Sequence, residues 1–110
     1  MRRIALLAAA GAAMAFAAEA GAATVTIIRD ANDYGAGQRV VCLLDSSPAA
    51  ILAQGQSERV SVADGPHKLY CQAVSGGFTP TPTATLDVRG DQALQFSVSL
   101  SLTRVHLEAK

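Results

Sequence analysis

Tryptophan is absent from this 110-residue chain, and only two tyrosines and three phenylalanines supply aromatic rings. Sugar-binding surfaces are built from such rings, so little material exists for one. Nine basic residues balance nine acidic ones without a block of like charge, which removes the clustered basic face that nucleic-acid binding requires. Two widely spaced cysteines with one histidine, His67, near them leave a zinc site a ligand short, and there is no C-x-x-C redox motif. The G-x-S-x-G elbow, the H-E-x-x-H pair and a phosphate-cradling glycine loop are missing as well. These absences predict a protein that is not an enzyme and takes no metal or cofactor.

What is present begins at the N-terminus. Met1-Arg2-Arg3 precedes an apolar run of 15 residues from Ile4 to Ala18, and small residues follow from Ala20 to Ala23. A membrane span needs about 20 apolar residues, whereas a positive head, a short apolar stretch and a small-residue end are the layout of a signal peptide. The reading is a cleaved signal helix over residues 1–23 and one mature domain over 24–110, with the cut between Ala17 and Ala23. No cysteine stands near the cut to carry a lipid. The product is expected in the periplasm or secreted, with no membrane span after cleavage. Removing Arg2, Arg3 and Glu19 leaves seven basic and eight acidic residues, a net charge of −1.

Export makes oxidation the default state of Cys42 and Cys71. A bridge between them closes a loop of 29 residues, and loop-closure entropy makes it worth on the order of 3.6 kcal/mol. The expectation is a structural disulfide rather than a nucleophile or a metal site with His67.

The body of the chain reads as strands. Leu94, Phe96, Val98, Leu100 and Leu102 alternate with polar residues, a period of two that marks a half-buried strand. Ala84, Leu86 and Val88 alternate likewise, and Arg89-Gly90-Asp91-Gln92 is read as a hairpin turn between these two strands. Leu69, Cys71 and Ala73 follow the turn Asp64-Gly65-Pro66. Val60 and Val62, Ala49 to Ala53, Val40 to Leu44, and Thr24 to Arg29 complete about seven strands. Such spacing predicts an all-β fold, a small antiparallel β-sandwich of immunoglobulin-like or transthyretin-like type. Val105 and Leu107 break the phase of the last strand, which implies a bulge or departure of the tail from the sheet.

Among the connections, Asp30 to Gly37 starts like a calcium loop, but Tyr34 and Val41 occupy positions that need oxygen ligands, so it reads as a flexible strand connection. His67 reads as a strand-start residue bonding to the backbone, and His106 as part of a mobile tail. Arg89-Gly90-Asp91 spells an integrin-ligand tripeptide, which a tight turn explains without a receptor. Thr79 to Thr83 reads as an edge strand, because its two prolines cannot donate ladder hydrogen bonds.

Several of these features occur together over residues 39–102. A strand ends in Asp45, Gln54-Gly55-Gln56 makes a turn, Asp64-Gly65-Pro66-His67 opens the strand with Leu69, Gly76-Gly77-Phe78 follows, and a long strand comes after Gly90. In these the chain resembles the PEGA-type and related small β-sandwich domains of bacterial envelope proteins. The resemblance implies a non-catalytic accessory or interaction module whose partner is an envelope protein or surface component. The alternative is an extracytoplasmic module that binds a glycan or small apolar molecule with loops at one end. Phe96 belongs to the core by parity, so Tyr34, Tyr70 and Phe78 are the candidate binding surface.

Overall fold

A computed structural model describes residues 23–110; the signal segment expected over residues 1–23, with its helix, lies outside them except for Ala23. The described chain is all-β and sandwich-like, with eight strands in two four-stranded sheets. The first sheet has the order β4-β1-β7-β8, from β1 (Ala23–Arg29), β4 (Ser57–Val62), β7 (Ala93–Leu100) and β8 (Val105–Ala109). The second has the order β3-β2-β5-β6, from β2 (Val40–Leu44), β3 (Ser47–Leu52), β5 (Gly65–Ala73) and β6 (Ala84–Val88).

Alternation decides which face each strand buries. Ala23, Val25 and Ile27 of β1 and Phe96, Val98 and Leu100 of β7 are buried, as are Val40 and Cys42 of β2, Leu69 and Cys71 of β5, and Leu86 and Val88 of β6. They form one core cluster. Burying a Val, Leu or Ile side chain fully contributes about 1.5–3 kcal/mol, so the inner faces supply most of the driving force.

Three expectations change. The tail is an eighth strand: Ser101 N–H donates to the Arg104 carbonyl, the chain doubles back, and Val105 to Ala109 pairs with β7. The phase shift at Val105 therefore marks a turn, and Leu102, expected inside, sits on that turn at 68 % exposure. Second, β6 and β7 are not a hairpin, because β6 pairs with β5 and β7 lies between β1 and β8. Arg89 to Gln92 is instead an arch between the sheets, a difference that strand periodicity does not encode. Third, the sheets are not wholly antiparallel, since β1 runs parallel to β7.

The two ends of the sandwich differ. The loop end gathers residues 30–39, 53–56, 74–83 and 101–104. The turn end gathers the short connections at Asp45-Ser46, Ala63-Asp64 and residues 89–92. Asp45 and Ser46 have φ of 54° and 70°, the left-handed geometry that a two-residue hairpin demands.

Candidate functional site

Cys42 and Cys71 form a disulfide, as expected. They face one another on the neighbouring strands β2 and β5 with Cα atoms 4.1 Å apart. Both are fully buried. The Cys71 backbone bonds away from β2: its carbonyl accepts from Thr81 N–H and its N–H donates to Thr81 Oγ1, each at 3.0 Å. The facing cysteines are thus a non-hydrogen-bonded pair, the register at which cross-strand side chains come closest. Thr81 stands between two prolines and is 4 % exposed. It supplies both the donor and the acceptor that continue the sheet where prolines cannot.

Of the aromatic candidates, Tyr34 and Phe78 belong to the loop end and Tyr70 to the outer face of β5. Tyr34 is 70 % exposed in the loop after β1. Phe78 lies in the loop after β5, half-buried and packed against the core. Tyr70 points outward from β5, where it lines a groove of about 350 Å³ together with Leu43, Ser46, Lys68 and Thr83. Register explains this grouping, because Leu43 pairs with Tyr70 across β2 and β5 and both point away from the core. The result is an apolar floor with hydroxyls and one ammonium around it, a composition suited to a ligand with an apolar body and a polar end.

The densest cluster of charge is internal. Arg29 ends β1 with the inward parity of Val25 and Ile27, and its side chain has no exposed surface. All five of its N–H groups are used. Nε and Nη2 donate to the two Asp33 carboxylate oxygens at 2.7 and 3.0 Å, Nη1 donates to the Gln38 and Leu52 carbonyls, and Nη2 also donates to the Gly35 carbonyl. Asp33 additionally accepts from Gln54 Nε2 and from the N–H groups of Gly35 and Leu100. Burial works to raise the pKa of Asp33. The hydrogen bonds from Arg29, Gln54, Leu100 and Gly35 outweigh it and hold the carboxyl far below its ordinary 3.8. The segment expected as a flexible connection is therefore cross-tied to Arg29 of β1, to Gln54 after β3 and to β7. Gly35 is required there, since a Cβ would collide with Leu100 Cδ1 and stand 2.8 Å from Arg29 Nη2.

A second cluster sits at the turn end. His67 Nδ1 lies 2.5 Å from Asp45 Oδ2 and its Nε2 lies 2.7 Å from the Ala63 carbonyl. Two acceptors facing two ring nitrogens are both satisfied only by the imidazolium. The Asp45 carboxylate, then the Ala63 carbonyl, raise the His67 pKa above 6.5 against the opposing effect of burial. His67 and the Lys68 N–H lower that of Asp45. His67 thus bonds the backbone as expected, but it also joins the β2–β3 and β4–β5 turns. His106 is exposed on β8.

Sequence reasoning missed Arg29, Asp33, Asp45 and Thr81. Parity was a usable signal for Arg29, which shares it with three buried residues of β1. Asp33 follows four residues later, in a turn whose path periodicity does not describe. No family model matches the chain, and no curated protein shows significant similarity to it.

Proposed function

We propose that this is an exported, non-catalytic accessory or interaction module of the cell envelope, stabilised by its disulfide. One observation carries the non-catalytic reading: the clusters richest in titratable groups are saturated internally. Every Arg29 donor is engaged, the Asp33 carboxylate accepts five hydrogen bonds, and both His67 nitrogens have partners. A general acid, base or nucleophile needs a free atom aimed at substrate. Here those atoms hold loops together.

The PEGA-type resemblance remains part of this reading. Within the sandwich class, the sheet order favours the transthyretin-like type over the immunoglobulin-like one, which places its first two strands in one sheet. Here β1 and β2 lie in different sheets and β1 runs parallel to β7. The buried disulfide fits an oxidising compartment. Ala23 is the first residue of β1, fully buried and paired with Val62, which favours signal cleavage after Ala20 or Ala22 over cleavage after Ala23.

The groove beside Tyr70 favours a second reading, an extracytoplasmic module for a small apolar ligand. A pull-down from the envelope fraction distinguishes the two. A discrete protein retained by the mature domain and released by Lys68→Glu with Tyr70→Ser supports the interaction module. Retention of small molecules alone, with no protein, supports the ligand-binding reading. Turnover of a substrate that depends on His67 would sink both.

A further inference from the structure

Among the described residues, the four large hydrophobic side chains most exposed to solvent are not scattered. Tyr34, Val74 and Leu102, at 70 %, 61 % and 68 % exposure, all lie at the loop end, and only Ile51 lies elsewhere. Backbone bonds bring their segments together. Tyr34 N–H donates to the Leu100 carbonyl at the foot of the 101–104 turn, and Thr79 N–H donates to the Thr103 carbonyl, which sets Phe78 beside the same turn. Val74 N–H donates to the Arg39 carbonyl. Two exposed arginines, Arg39 and Arg104, stand among these tips, and neither joins an ion pair among the described residues. Asp30 is the one exposed acid in those loops. At the turn end, Asp45, Asp64, Asp87 and Asp91 stand against Lys68, Arg89 and the His67 imidazolium.

From this arrangement we infer that the loop end docks on an anionic lipid surface, with Tyr34, Leu102 and Val74 inserted among the headgroups and Arg39 and Arg104 on the phosphates. Apolar side chains flanked by basic ones gain both from apolar burial and from attraction to a negative leaflet. The turn end pairs its cations with carboxylates, Asp45 with His67 and Asp87 with Arg89, so the unpaired arginines of the loop end orient the sandwich with its loops down. A stable protein interface takes a continuous area of about 800 Å² per partner. Side chains projecting from three separate tips suit a fluid that conforms around them. The surface is separate from the groove beside Tyr70, so this docking stands or falls independently of the interaction reading.

Sedimentation of the mature protein with phosphatidylcholine vesicles containing about one third phosphatidylglycerol, and with pure phosphatidylcholine, tests the inference. The expected result is binding to the anionic vesicles that weakens with salt and is far weaker on the neutral ones. Arg39→Gln with Arg104→Gln should weaken it about thirtyfold, at roughly fivefold per basic residue near the surface. Tyr34→Ser with Leu102→Ser should weaken binding at high salt as well, with unfolding unchanged because both side chains are exposed. Absence of binding to anionic vesicles at low salt overturns the inference. So does binding indifferent to both double variants, or a dimer in solution that Leu102→Ser dissociates, which would make the patch a protein interface.

Discussion

Replacing Asp33 by Asn removes one charge and almost no volume, and the structure makes this the most damaging conservative change in the loop end. One carboxylate oxygen accepts three hydrogen bonds and the other accepts two. Whichever way the new amide turns, its NH2 group faces at least two donors, and the Arg29 guanidinium, with no exposed side-chain surface, is left without its counterion. Removing one partner of a buried ion pair costs about 3–5 kcal/mol. The amide oxygen keeps some of the bonds, so the lower end of that range, about 3 kcal/mol, is expected. A domain of this size has roughly 4–13 kcal/mol in total. Urea unfolding followed by far-ultraviolet circular dichroism should show the midpoint falling by about 3 M, for a slope near 1 kcal/mol per molar. The pH dependence provides a second check. Because the folded pKa of Asp33 is depressed, its contribution is present above the ordinary 3.8 and is lost as pH falls through the folded value. The gap between wild type and variant should therefore be full at neutral pH and narrow in strong acid. A midpoint shift below about 0.5 M, or a gap that does not change with pH, would refute the claim that this pair is buried and charged.

The turn-end tie has the opposite pH sense. His67 has a raised pKa, so its contribution is full below 6.5 and declines as pH rises through the folded value, while that of Asp45 requires pH above 3.8. Thermal unfolding should show His67→Gln losing stability relative to wild type at pH 5 to 6 and much less at pH 9. Replacing both cysteines by alanine should cost up to about 3.6 kcal/mol in the urea assay, with the fold retained at low temperature. Thr81→Val keeps the side-chain shape but leaves the buried Cys71 N–H without its acceptor, and should cost about 1–3 kcal/mol.

Strand positions were largely legible because one buried face imposes period two on β5, β6 and β7. The disulfide was legible because Cys42 and Cys71 share parity with buried neighbours. Sheet membership was not. The same Arg-Gly-Asp-Gln segment can close a hairpin or arch between layers, and here Gly90 N–H bonds to Asp64 and the Gln92 carbonyl accepts from Thr24. These partners lie far away in sequence. Arg29 was hidden for a different reason: a charged residue after a β-branched run reads as the polar end of a strand. Its burial depends on five acceptors, four from the loop after β1 and one, the Leu52 carbonyl, from β3. Of the aromatic candidates, parity placed Tyr70 on the outer face, while the positions of Tyr34 and Phe78 depend on loop paths that no repeat describes.

The parallel pairing of β1 with β7 governs the order in which this protein can be completed. Thr24 and Ala93 are partners although 69 residues separate them, and β1 lies in the interior of its sheet, between β4 and β7. The first strand to be synthesised therefore keeps one ladder of backbone groups open until nearly the whole chain exists. Closing so long a loop before its contacts form makes folding slow for a small domain. A chain ending before Ala93 contains every strand of the second sheet and both cysteines, whereas its first sheet is reduced to β1 and β4.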